Sequence, residues 1–202
     1  MLPSQRDAWL EQIQILRNAL VPFKGRGKLY FEYSVPRLGK RIDVIAVIDH
    51  VLFIIEFKVG ATEYSASGTD QVWDYALDLK NFHDTSHDKL LAPILIATRA
   101  VRRQTPLTIA PHQDGLLSPL HVAPVELQEA IENVLATRSD ALIDVNAWES
   151  GRYSPTPTIV EAATALYAGH AVADISRNDA GAVNLTRTSK NKRTFATTTS
   201  CT

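Results

Sequence analysis

Apolar positions along this chain switch between two periods, and the switches mark its elements. Trp9, Ile13, Leu16 and Leu20 recur at three- and four-residue spacing, predicting an amphipathic helix over residues 4–20. Ser4 followed by Asp7 is a capping arrangement for its first turn. Residues 22–28, with Pro22, Gly25 and Gly27, break it. Three strand signals follow: 29–35, rich in Tyr and Phe, then 42–48 and 51–59, two β-branched runs separated only by Asp49-His50. That spacing is a hairpin signal without the usual glycine. After a polar stretch at 60–68, Val72, Tyr75, Ala76 and Leu79 predict a helix over 69–82. Residues 91–98 form an uninterrupted apolar run, expected of a central strand. A further strand is expected at 119–123, and Pro124 opens a helix to 137 with Leu127, Ile131 and Val134 inward.

The order helix, three strands, helix, strand, strand, helix predicts an α/β domain of layered helices on a mixed sheet, over residues 1–140. Beyond Asp140 the pattern weakens. Residues 141–189 read as a linker, proline-punctuated at 154–158, and a short helical appendage at 159–170; residues 190–202 read as a disordered tail.

Composition narrows the function. The chain is 45% hydrophobic and 21% charged, with a formal net charge of −1. Any nucleic-acid contact must therefore come from local basic clusters. A single cysteine, Cys201, excludes a disulfide framework or cysteine-based zinc site within one chain. With neither a signal-peptide pattern nor an apolar window long enough to span a bilayer, a soluble cytoplasmic protein without membrane contact is expected.

The hairpin carries the candidate chemistry. If Asp49 and His50 are its two turn residues, Ile48 faces Val51, and Asp43 lies opposite Glu56. Directly opposed residues share a face, and Lys58, two places on, points to it too. The other positions of both faces are apolar, so three charges sit at one end of a strand pair buried on both sides. Two facing carboxylates in such a place repel, and the remedies are a shared proton, a cationic partner or a metal ion. Mg²⁺ or Mn²⁺ suits two oxygen donors, keeps several waters and accepts phosphate oxygens. Such a site can hydrolyse a phosphodiester, with Lys58 assisting the attacking water.

Arg41-Ile42-Asp43-Val44-Ile45-Ala46 followed by Ile54-Ile55-Glu56-Phe57-Lys58 resembles the PD-(D/E)XK, restriction-endonuclease-like nuclease superfamily. Gln71 and Tyr75 in Gln71-Val72-Trp73-Asp74-Tyr75 are similar to the Gln-x-x-x-Tyr motif of recombination exonucleases, and their spacing places both on one helix face. The resemblance implies a three-layer core with a central mixed sheet flanked by helices, a Mg²⁺-dependent nuclease acting on DNA ahead of RNA, and an earlier acidic metal ligand. Glu32 is the candidate for that ligand, with Glu11 a weaker one. Phe31-Glu32-Tyr33, the run from Gln71 to His83, and Asn184-Leu185-Thr186-Arg187-Thr188-Ser189 resemble the leading region of bacterial Schlafen-like DNA/RNA helicases. There a nuclease-like domain precedes a P-loop ATPase. This chain has no Walker A sequence, and departs from the pattern near Lys190. It is expected to be a truncated form or fragment of such a protein, or to meet an ATPase as a separate partner.

Plainer readings stand beside these. Glu-x-Lys alone is also a solvated salt bridge, Tyr75 also a core residue with a bonded hydroxyl, Gln71 also a cap, and Glu32 also a surface strand residue. Arg37, Lys40 and Arg41 form a basic turn that could hold phosphates or simply be solvated, and Arg99, Arg102 and Arg103 could extend it. His83 and His87 invite a zinc reading but lack a third ligand; Ser65 and Ser67 lack a nucleophile context; Trp73 reads as packing. The overall alternative is a catalytically inactive module of the same fold that binds nucleic acid or a partner ATPase.

Overall fold

The computed structural model describes residues 5–36, 38–104, 107–110 and 114–153. The cap at Ser4, Arg37, the features expected beyond residue 153 and Cys201 lie outside them. The chain divides into two units. The first comprises residues 1–81 and 85–151; the second takes Phe82–Asp84 and the chain from Arg152, and in it His83 and Tyr153 form an isolated antiparallel bridge.

In the first unit, helix α1 (Gln5–Ala19) precedes strands β1 (Gly27–Val35), β2 (Lys40–Ile48) and β3 (Val51–Lys58). Helix α2 (Ala66–Phe82) leads to β4 (Leu90–Ala97) and β5 (Leu120–Val122), then α3 (Leu127–Leu135) and α4 (Val145–Glu149). One five-stranded sheet has the order β1-β2-β3-β4-β5; β1, β2 and β3 run antiparallel as a meander, while β3, β4 and β5 are parallel. The fold is a mixed-sheet α/β domain, in the element order expected.

Period-two alternation decides which residues meet which layer. Val44, Ala46, Ile48, Phe53, Ile55 and Phe57 join Leu16 and Ala19 of α1 and Leu127, Ile131 and Val134 of α3 in one apolar core. On the other face Ile45, Val47, Leu52 and Ile54 are fully buried, as are Val72, Ala76 and Leu79 of α2. Burial on both faces explains why β3 and β4 are nearly continuous apolar runs.

The β2–β3 turn is the two-residue Asp49-His50 connection, since Ile48 pairs with Val51. Asp49 takes the left-handed conformation at φ 52°, which aspartate tolerates better than most residues, and Arg26 holds its carboxylate. Pro93 occupies the interior of β4, where a missing N–H would ordinarily cost a ladder bond. Leu91 exchanges bonds with Gly115 and Leu117, so the proline nitrogen two residues on faces that same side, short of where the β5 ladder begins at Ile94.

Three features depart from the sequence expectations. The 124–137 helix is a 3-10 turn, Pro124–Glu126, continued by α3. Helix α4 has no counterpart in the apolar pattern; Asp144 caps it through Asn146 and Ala147, and buried Trp148 donates to Ser86 Oγ at 2.9 Å. Trp9, the expected first member of the α1 core stripe, is 46% exposed, so the buried face begins only at Leu16.

Gly27 lies so close to β2 that a Cβ there would stand 1.7 Å from the Val47 carbonyl oxygen. Gly27→Ala should therefore cost about 2–3 kcal/mol by forcing the edge strand outward, read as a lower denaturation midpoint. An unchanged midpoint would show that this rung is not closely fixed.

Candidate active site

The register places the charged end of the hairpin as expected. The β2–β3 ladder runs from Ile48↔Val51 to Val44↔Ile55, and the next rung sets Asp43 level with Glu56. There the backbone ladder gives way to a side chain, with Asp43 Oδ2 accepting the Phe57 N–H at 2.9 Å. Across β1, Phe31↔Val44 and Tyr33↔Ile42 bracket Glu32, so Glu32 lies level with Asp43 from the other side. Its backbone is left-handed there, at φ 50°.

Glu56 is only 4% exposed. Its Oε1 accepts from Lys58 Nζ at 3.1 Å and from Gln71 Nε2 at 2.8 Å, whereas its Oε2 is buried without a hydrogen-bond partner. Lys58 Nζ also donates to Gln71 Oε1 at 2.8 Å, and Gln71 Nε2 approaches the Tyr75 hydroxyl at 3.0 Å. One amide thus ties ammonium, carboxylate and phenol together. Gly68, in the first turn of α2, makes room for this: a Cβ there would meet Lys58 Cε at 3.1 Å and Leu95 Cδ2 at 3.2 Å.

The electrostatics follow from burial. Desolvation, and then the neighbouring Asp43 charge, push the Glu56 carboxyl up to about 7, against the smaller opposing pull of Lys58. Asp43 is also raised, chiefly by desolvation, partly offset by the Phe57 N–H and raised further by Glu32. Burial raises the Tyr75 hydroxyl, with the Gln71 hydrogen bond opposing it.

Asp43, Glu56, Lys58, Gln71 and Tyr75 are therefore brought together. Glu56 and Lys58 are not a solvated surface bridge, since the Glu56 side chain is 6% exposed. Tyr75 is 2% exposed, and its ring belongs to the core, as in the plainer reading. Glu32 is held by Arg41 at 3.2 Å, and among the described residues no group of three or more His, Cys, Asp or Glu could hold a metal ion. Glu11 pairs with Arg99 at 3.6 Å, and Arg102 with Glu129 at 2.6 Å; the Arg103 N–H donates to Glu126. Of the three arginines that could extend the basic turn, Arg99 and Arg102 are thus paired with carboxylates, whereas the Arg103 contact is made by its backbone. Lys40 is exposed at the start of β2. The Asp43 cap on Phe57 and the space at Gly68 were missed from the sequence; only the 43/56 register hinted at the first.

The raised Glu56 carboxyl makes stability pH-dependent. The native state holds a proton that the unfolded chain has released, so stability is full below about pH 4.5 and falls as pH rises through about 7. Glu56→Gln, isosteric with the protonated acid, should match the wild type near pH 4.5. It should exceed the wild type at pH 8 by up to about 3 kcal/mol. Parallel denaturation curves at both pH values would read this, and a variant less stable than wild type at pH 8 would contradict it.

Family models, curated proteins and solved structures yielded no match to this chain.

Proposed function

We propose that this chain is a metal-dependent nuclease of the PD-(D/E)XK type, hydrolysing phosphodiester bonds of DNA ahead of RNA. The observation that carries the reading is the orphaned Glu56 Oε2, buried level with a second carboxylate and beside an ammonium group. A proton relieves that arrangement at low pH, and a divalent cation relieves it at neutral pH without leaving an acid unpaired. The strand order also supports it: an antiparallel meander followed by a parallel crossover, with the acids toward the carboxyl end of β3.

Asp43 and Glu56 would hold Mg²⁺ or Mn²⁺, and two carboxylates suffice for an ion that keeps several waters. The bound ion supplies a Lewis acid and lowers the pKa of water in its shell. Lys58 Nζ has three donors, of which Glu56 and Gln71 take two; the third is available to orient an attacking water or to meet charge growing on the phosphoryl oxygens. Gln71 fixes the ammonium group and the carboxylate together. Attack by water forms a new P–O bond while the ester P–O bond breaks toward the leaving strand.

A second reading is an inactive module of the same fold that binds nucleic acid or a partner ATPase of the Schlafen-like helicase kind. It is favoured by the closed Lys58–Glu56–Gln71 network and by the pairing of Glu32 with Arg41.

Asp43→Ala and Lys58→Ala should each abolish EDTA-sensitive cleavage of labelled DNA while leaving the circular dichroism spectrum intact. Cleavage retained in either would remove that residue from the mechanism. Independently of turnover, Mn²⁺ at a hundredfold excess over its Kd should stabilise the wild type by about 2.7 kcal/mol. The effect should vanish in Asp43→Ala, and no stabilisation of the wild type would favour the inactive module.

A further inference from the structure

Beside the acids, between the start of α1 and the β1–β2 edge, lies an open cleft of about 520 Å³ lined by Arg6, Trp9, Leu10, Glu32 and Arg41. Trp9 and Phe31 are each 46% exposed and Leu10 is 56% exposed, an unusual share of large apolar side chains left in water at one place. The Trp9 and Phe31 rings neighbour one another, with centroids 6.5 Å apart and planes inclined by 42°. Arg6, Trp9 and Leu10 stand at three- and four-residue spacing and so share a face of α1. Two guanidinium groups against one carboxylate give the cleft a positive balance, and Arg41 is 66% exposed even while paired with Glu32.

Glu32 lines this cleft and lies level with Asp43, whose carboxyl feels its charge, so the cleft borders the candidate active site. We infer that the cleft, together with the Phe31 ring beside Trp9, is a binding platform for single-stranded nucleic acid, with the two rings stacking on unpaired bases while Arg6 and Arg41 meet the backbone phosphates. The inference rests on the nuclease reading for its location and names the substrate class. Exposed aromatic faces between cations suit unpaired bases because every base has a π-face, whereas a duplex has already stacked its own. The low net charge of the chain agrees with a platform that binds by stacking as much as by charge.

The test uses the full chain in EDTA, where binding is read without cleavage, by anisotropy of a labelled oligothymidylate and of a blunt duplex of equal length. Wild type should bind the single strand more tightly than the duplex. Trp9→Ala and Phe31→Ala should each weaken single-strand binding by about tenfold, with unchanged melting temperatures. Trp9→Phe should retain binding, and Arg6→Ala should lower the salt dependence. Equal affinity for both substrates, or alanine variants that bind like wild type, would overturn the inference. So would a dimer in sedimentation that Trp9→Ala dissolves, since the face would then be a self-association surface. Cleavage measured separately with Mg²⁺ keeps the two readings apart: an Asp43→Ala variant that still cuts removes the nuclease assignment of that residue and leaves the platform standing.

Discussion

A carboxylate withdrawn from water beside a second carboxylate is the constraint around which this structure is arranged. Because helices cover both faces of the sheet, β3 has no wet side, and Glu56 is drawn inward with its apolar neighbours. Lys58 and Gln71 satisfy one of its oxygens and leave the other bare. Burying one unpaired polar atom costs on the order of 1–3 kcal/mol, more than a surface ion pair returns. A sheet built for stability alone would place an apolar side chain at position 56, as it does at Ile54 and Ile55. That retained cost is the observation on which the proposed site rests.

The network around that acid has a built-in order. Asp43 gives one oxygen to the Phe57 backbone, which fixes its carboxylate against the strand end where the ladder stops. Gln71 reaches over from α2, its carbonyl toward the ammonium and its amide toward the carboxylate and the Tyr75 hydroxyl. A neutral amide can bridge opposite charges without altering the balance between them, which neither a lysine nor a glutamate could do at that position. Gly68 in the preceding turn permits the close approach of helix and lysine. The helix thus sets the position of the charged groups, and the strands set their separation.

Much of this was legible from residue order alone, for a definite reason. Side chains in strands alternate strictly, so a two-residue turn at Asp49-His50 determines every later pair, including the level of Asp43 with Glu56. The four-residue spacing of Gln71 and Tyr75 fixed their common face. What escaped depends on partners distant in sequence. The periodicity of α1 gives a face but not how far it is covered, and Trp9 stays 46% exposed. Helix α4 is too short to display a period and is held by the Trp148–Ser86 contact. Pro93 in a central strand is tolerated only because of where the β5 ladder begins. Glu32 stands level with Asp43 but pairs with Arg41, a choice between two partners that spacing cannot decide.

That last choice bears on how the site would be completed. Glu32 and Arg41 are each more than a third exposed, so their bond is weakly held and screened by salt. Glu56, by contrast, is only 4% exposed. The two acids therefore differ in kind although they flank the same aspartate: one stands at a surface where phosphates or solvent compete for its partner, the other in a fixed interior seat. Under the proposed nuclease reading, a polyanion that draws Arg41 toward its phosphates would free the Glu32 carboxylate at the level of Asp43.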